Sequence, residues 1–220
     1  MKNQIRGLGF VLLLVGLYTS PMHSQMRDGK FGIGLFGSGN LLYSDAAKNE
    51  PGLGGSMELT YALLHHWGLR ASFGYDGFKG KDSDGLQVLS ATYYGDFAVS
   101  YNFTLHHMFN PFIFAGAGVM NYYPRKQLST GHYDYLLSGP NDIPWSSALI
   151  GGVGCDFFIN EFWSISITAQ GGWLMSDNID NIIAGGNDSF ARISIGFRYY
   201  LFDKNFVKKM IETSKSQEKR

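Results

Sequence analysis

Trp163-Ser164-Ile165-Ser166-Ile167-Thr168-Ala169-Gln170 alternates between apolar and small polar residues without a break. Side chains of an extended strand point to opposite faces in turn. Trp163, Ile165, Ile167 and Ala169 therefore share one face, and Ser164, Ser166, Thr168 and Gln170 share the other. The same arrangement recurs outward from this segment. Ile193, Ile195, Phe197, Tyr199 and Leu201 oppose Arg192, Ser194, Gly196 and Arg198. Leu53, Met57, Leu59, Tyr61 and Leu63 oppose Gly54, Ser56, Glu58, Thr60 and Ala62. Phe97, Val99, Tyr101 and Phe103 oppose Asp96, Ala98, Ser100 and Asn102.

Eight strand candidates follow, at about 31–43, 52–65, 67–78, 88–104, 111–123, 145–158, 162–175 and 189–202. The first is weakened by Gly32, Gly34, Gly37 and Gly39, and the fifth is apolar or glycine on both faces. Their lengths exceed the mean of about 5–6 residues for strands of soluble proteins. They suit tilted membrane-spanning strands of about 9–11 residues that continue past the bilayer. Odd-to-even connections (44–51, 79–87, 124–144, 176–188) are long and polar, whereas even-to-odd ones, near His66, at 105–110 and at Asn160-Glu161, are short. Short periplasmic turns and longer outer loops mark bacterial barrels.

Seven charged residues fall within these segments, each on the polar face: Glu58, Arg70, Asp76, Asp96, Asp156, Arg192 and Arg198. Alternation alone does not say which face looks inward. A soluble ligand-binding barrel would put the apolar face inside. Its water-facing side would then be Ser, Thr, Gly and Asn with these few charges, far poorer in Lys and Glu than soluble surfaces are. The same residues suit the lumen of a narrow barrel in lipid. Tyr43, Trp67, Tyr122, Tyr123, Trp145, Trp163, Trp173 and Tyr199 near strand ends are expected to form interfacial girdles.

The composition agrees. Charged residues are 16% of 220, against roughly 25% in ordinary soluble domains, and aromatics are 15%. Formal net charge is zero, which gives no electrostatic footprint for nucleic acid. Cys155, the one cysteine, has no partner within the chain for a disulfide. Residues 1–24 read as a signal peptide. Lys2 and Arg6 precede the apolar run Leu8–Tyr18, and Met22-His23-Ser24 offers a cleavage site. The barrel is expected over 25–202 and a short basic periplasmic tail over 203–220, whose Phe206, Val207, Met210 and Ile211 could form an apolar face. No later segment suits a transmembrane helix, which leaves a closed barrel as the way into a membrane.

Three stretches carry a family resemblance. Asn110-Pro111-Phe112-Ile113-Phe114-Ala115-Gly116-Ala117-Gly118 and the hairpin from Gly151 to Ser164 resemble strands of OmpA/OmpX-like small outer-membrane barrels. The segment Ser194 to Phe202 resembles the C-terminal insertion signal of such proteins, with Gly196, Tyr199, Leu201 and Phe202 in its pattern. The resemblance spans about residues 27–202. It implies an eight-stranded antiparallel up-and-down transmembrane barrel in the cell outer membrane, exported through the N-terminal signal peptide. Outer-membrane lipids, lipopolysaccharide and the barrel-assembly machinery are the expected partners, and a monomer is the expected state.

Motifs with chemical meaning are sparse. Gly32-Ile33-Gly34-Leu35-Phe36-Gly37 matches a dinucleotide fingerprint but lacks its strand-then-helix context. Close backbone approach explains these glycines better. His65-His66 and His106-His107 occupy equivalent hairpin ends, yet adjacent strand residues face opposite ways, so a shared metal site would need loop rearrangement, and interfacial histidines are the simpler reading. Asp82, Asp84, Asp177, Asp180 and Asp188 read as solvated loop charges without calcium-loop spacing. His132 with Ser129, Asp134 and Ser138 lacks a hydrolase signature. No catalytic, cofactor or metal residues are assigned. The expected role is non-enzymatic: envelope support or surface contact, with the seven charges forming a network that largely plugs the lumen. A narrow porin or transporter of small, including hydrophobic, molecules is the alternative, and a lipid A-modifying enzyme comes third.

Overall fold

In the computed structural model, which describes residues 29–44, 48–64, 66–81, 84–104, 108–128, 131–135, 144–175 and 188–202, alternation becomes strand. In chain order these are β1 Phe31–Tyr43, β2 Lys48–Glu50, β3 Gly52–Ala62, β4 Trp67–Lys81, β5 Gln87–Asn102, β6 Phe109–Gln127, β7 Tyr133–Tyr135, β8 Trp145–Phe158, β9 Trp163–Leu174 and β10 Ser189–Phe202. Eight of them form a closed antiparallel barrel. Each barrel strand pairs with its sequence neighbours, and β1 pairs with β10 to shut the cylinder. Closure leaves no unpaired strand edge along the barrel wall, which a structure in lipid requires. The expected signal segment and the tail at 203–220 lie outside the described residues.

Exposure decides which face looks out. Leu53 is 76% exposed, Leu35 68% and Ile193 65%, while Ser164 and Ser166 are 0% exposed. The greasy face is outside and the polar face lines the lumen. A soluble barrel in water would show the reverse. Most expected girdle residues stand outward: Tyr43, Tyr123, Trp145 and Trp173 near the long-loop end, and Trp67, Trp163 and Tyr199 near the short-turn end. Tyr122 does not. It is 1% exposed and points into the lumen, because it is one residue out of phase with outward Tyr123.

β6, the ambiguous fifth candidate of the sequence, is oriented by its partners. Phe112, Phe114, Met120 and Tyr122 turn inward, while Ile113, Val119 and Tyr123 turn outward. Strand ends also differ from the sequence reading. β4 runs to Lys81 and β6 to Gln127 because short strands fold back on them. Lys48–Glu50 pairs with Lys79–Lys81, and Tyr133–Tyr135 pairs with Arg125–Gln127. These extensions carry charge and alternate poorly, so periodicity missed them.

Local chemistry sets the short turns. Asn160 Oδ1 accepts hydrogen bonds from the backbone N–H of Phe162 (2.8 Å) and Trp163 (2.9 Å), which reverses the chain between β8 and β9. Leu63 N–H donates to the Trp67 carbonyl at 2.9 Å, and Trp67 N–H returns to Leu64 at 3.1 Å.

Candidate functional site

The lumen is where the strands bring the seven expected charges together. All seven are buried there, at 0–6% exposure. Even-numbered positions of β4, β5, β8 and β10 and of β3 point inward, so distant residues meet across the cylinder.

They form two groups. Towards the short-turn end, Arg198 is the hub. Its Nη1 donates to both carboxylate oxygens of Asp156 at 2.7 Å, and its Nη2 donates to Glu58 Oε1 at 2.5 Å. Arg70 Nη2 donates to the other oxygen of Glu58 at 2.5 Å. Glu58 is thus held between two guanidinium groups. Tyr200 Oη and Ser166 Oγ lie 3.3 and 3.4 Å from Arg198.

Towards the loop end, Arg192 is the hub. Its Nε donates to Asp76 Oδ2 at 2.9 Å, and its Nη2 contacts the same oxygen. Its Nη1 reaches Asp96 Oδ2 at 3.5 Å and Gln170 Oε1 at 3.3 Å. Gln170 in turn donates to Asp96 at 3.2 Å. Asn40 Nδ2 and Ser38 Oγ donate to the other oxygen of Asp76, at 2.9 and 3.4 Å. Each acid has at least one arginine partner, as burial of charge demands. A cavity of about 20 Å³ separates the two groups, lined by Glu58, Arg70, Asp96 and Gln170 among others. That is room for about one water molecule.

The rest of the lumen is aromatic, which the sequence reading did not anticipate. Phe36, Tyr94, Phe112, Phe114, Phe158, Phe190 and Tyr200 are all buried. Most of their rings lie against inward-facing glycines. A Cβ on Gly172 would sit 2.1 Å from the Phe190 ring, one on Gly154 2.4 Å from Phe112, and one on Gly152 2.6 Å from Phe114. The glycines leave space that rings from nearby strands fill. The guanidinium groups lie on these faces: Arg192 is 3.8 Å from the Tyr94 centroid and Arg70 is 4.3 Å from that of Phe112. Lys30, also missed, is 7% exposed and sits 4.6 Å from the Tyr200 ring near the short-turn mouth. Extending the alternation of β5 and β10 to Tyr94, Phe190 and Tyr200 was the signal that could have found three of the rings. It was obscured because the outward face is aromatic as well.

The remaining candidates do not assemble. Gly32 and Gly34 face inward at close approach, a Cβ on Gly32 falling 2.7 Å from Thr60 Oγ1, whereas Gly37 and Gly39 meet nothing within 4 Å. The glycine motif is therefore part of β1 and opens no helix. His66 Nδ1 lies 2.6 Å from the Asn102 carbonyl, and its ring stacks on Tyr101. His65, His106 and His107 are outside the described residues, as are Asp82, Asp177, Asp180, Ser129 and Ser138. His132 and Asp134 are exposed on the β6–β7 hairpin, and Asp84 on a turn. Asp188 departs from the expectation of solvated charge: it is 1% exposed, where β10 enters the barrel. Of the insertion signal, Gly196 faces inward with a Cβ position 2.2 Å from the Leu35 carbonyl. Tyr199 packs outward on Trp163 at 4.8 Å, and Leu201 is outward too. Phe202 pairs through its backbone with Phe31, and its side chain is not described.

Comparison with known proteins gives a consistent picture. The family described as outer membrane protein beta-barrel domain matches residues 10–200. No curated protein sequence matches the chain. Among solved structures, Neisserial surface protein A is similar with a TM-score of 0.52 at 14% identity, covering 77% of this chain and 96% of that one. OprG of Pseudomonas aeruginosa gives 0.52 at 13% identity, with coverages of 81% and 98%. Ail, the attachment invasion locus protein of Yersinia pestis, gives 0.50 at 15% identity, with coverages of 79% and 99%. At these identities the likeness is one of fold.

Proposed function

This chain belongs to the outer membrane protein beta-barrel domain family, and from that premise we propose that it is a non-enzymatic barrel with a closed lumen, serving the envelope as a structural and surface-contact element. The observation that carries this reading is the packing of the interior. Two arginine-centred networks and a set of aromatic rings occupy the cross-section, and the cavity between the networks holds about 20 Å³. A rigid, filled cylinder transmits nothing useful through its middle. It does hold the long loops fixed at one end, where variation and contact are tolerated. Its partners on this reading are outer-membrane lipids, lipopolysaccharide and the machinery that inserts it.

The test is conductance. Refolded protein in a planar bilayer produces no stepwise channel openings under moderate voltage. Arg70→Ala, which removes one of the two guanidinium groups holding Glu58, adds brief openings by loosening the lower network. Steady openings of the unaltered protein would instead assign it to the narrow-pore class. Turnover of radiolabelled lipid A by the refolded protein would overturn the non-enzymatic part of the reading.

A further inference from the structure

Charge does not balance within each of the two lumen networks. Arg70 and Arg198 face Glu58 and Asp156, two cations for two acids. Arg192 alone faces both Asp76 and Asp96, which leaves one negative charge over. Its guanidinium is directed mainly at Asp76. Nε and Nη2 both reach Asp76 Oδ2, while Asn40 and Ser38 donate to Oδ1. Asp96 receives a 3.5 Å contact from Nη1 and a 3.2 Å hydrogen bond from Gln170, both on Oδ2. The residue is 5% exposed, and its Oδ1 is buried with no hydrogen-bond partner. A bare anionic oxygen in such a place is costly.

The surroundings limit what neutralises it. Among the described residues, the ionisable groups around Asp96 are Arg192 from β10, Asp76 and Arg70 from β4, Glu58 from β3 and Tyr94 on its own strand. At this level β6, β8 and β9 present Gly118, Ile150 and Gln170, none of them charged. Arg70 lines the same small cavity as Asp96, yet its 2.5 Å hydrogen bond goes to Glu58. Lys30 lies beyond the other network, beside Tyr200. A metal ion does not fit the bare oxygen. Oδ1 lies against Gly118, where even a Cβ would come within 2.1 Å of it. Metal ions also need several oxygen ligands, and both oxygens of Glu58 and Oε1 of Gln170 already accept from arginines. A proton needs no such room. On Oδ1 it turns the anion into a neutral hydroxyl and leaves Oδ2 to accept from Gln170 and Arg192.

We propose that Asp96 is a proton-binding site: the folded barrel holds it as a neutral carboxylic acid near neutral pH, and that proton balances the Arg192 network. The site goes beyond the closed-lumen reading and does not depend on it, since the charge count is the same in a barrel that conducts. It couples the fold to pH. An unfolded aspartate has given up its proton above about pH 4. Unfolding near neutrality therefore releases one proton from this site. The barrel loses stability as pH rises, until the folded carboxyl ionises as well.

Infrared spectroscopy of the refolded protein in an ester-free detergent at neutral pH tests this directly. The parent shows the carbonyl stretch of a protonated carboxyl group, displaced when aspartate is labelled with carbon-13. Asp96→Asn, which puts a neutral group of the same shape in its place, loses the band. Asp156→Asn keeps it, because both oxygens of Asp156 already accept from Arg198. No such band in the parent, or a band that disappears with Asp156 instead, overturns the proposal. Urea unfolding between about pH 6 and 8 gives a second readout. The unfolding constant of the parent climbs about tenfold per pH unit more steeply than that of Asp96→Asn. Equal slopes overturn the site. Stability that follows sodium in place of choline at fixed pH, with no carboxyl band, assigns the charge to a metal ion and overturns the proton. The gel shift on boiling monitors the barrel. If Asp96→Asn fails to refold, the labelled parent spectrum and the protons released on unfolding the parent carry the test. A barrel that conducts ions yet shows the band refutes only the closed-lumen reading.

Discussion

Arg198→Ala lowers the unfolding free energy by about 3–5 kcal/mol, the range for removing one member of a buried ion pair. The arginine is 1% exposed and binds two carboxylates from different strands, Glu58 on β3 and Asp156 on β8. Glu58 keeps Arg70 after the substitution, but Asp156 loses both of its 2.7 Å contacts inside a packed cylinder. The cost comes from the stranded charge more than from the lost attraction. Adding Asp156→Asn to Arg198→Ala therefore restores at least about 1 kcal/mol, a coupling that well-separated residues do not show. Arg70→Ala costs less, about 2 kcal/mol, because Glu58 still has Arg198. Urea unfolding in lipid vesicles, followed by tryptophan fluorescence, measures all three. A common small effect for the three variants would mean that water reaches the network freely.

The second large effect concerns glycine. Gly196→Ala destabilises the barrel by about 1–3 kcal/mol, as overpacking does in close-packed interiors. The added carbon would lie 2.2 Å from the Leu35 carbonyl and 2.7 Å from the Phe36 ring. Backbone on a neighbouring strand cannot move aside without disturbing the ladder between β1 and β10. Gly37→Ala, on the same pair of strands, is the control. Its Cβ meets nothing within 4 Å, and it faces outward. The same unfolding assay separates the two, with Gly37→Ala within about 0.5 kcal/mol of the parent. Equal midpoints would show that the β1–β10 seam is looser than these distances imply.

These two cases mark how far the sequence could be read. Period-2 alternation, clearest in β9 and β10, was sufficient to set most of the strands and to put the arginines on the polar face, while the up-and-down order came from the family resemblance. It also located the ends of β1, β8 and β10, where alternation stops abruptly at turn residues. It could not orient β6, whose two faces are both apolar. There the answer came from tertiary context, in which Phe112 and Phe114 lie over glycines of β8. Nor could alternation pair particular charges. Shear carries Asp76 on β4 to Arg192 on β10, residues 116 apart in sequence, and no local signal encodes that. The basic ends of β4 and β6 were missed for another reason. Lys79, Lys81 and Arg125 sit where composition reads as loop, and their place on strands comes from pairing with β5 and the short appended strands. Tyr122 was misplaced by one residue of phase, enough to move a ring from the interface to the lumen.

The measurement that bears most directly on the central claim is quenching by acyl chains. In a Cys155→Ser background, single cysteines at Ile165, Ser166, Ile167 and Thr168 carry a fluorophore, and the protein is refolded into vesicles of brominated lipid. The account predicts strong quenching at 165 and 167 and weak quenching at 166 and 168, the alternation of β9 read from lipid. Reversed alternation, or four equal signals, would contradict an apolar face turned to the membrane and a charged network turned within.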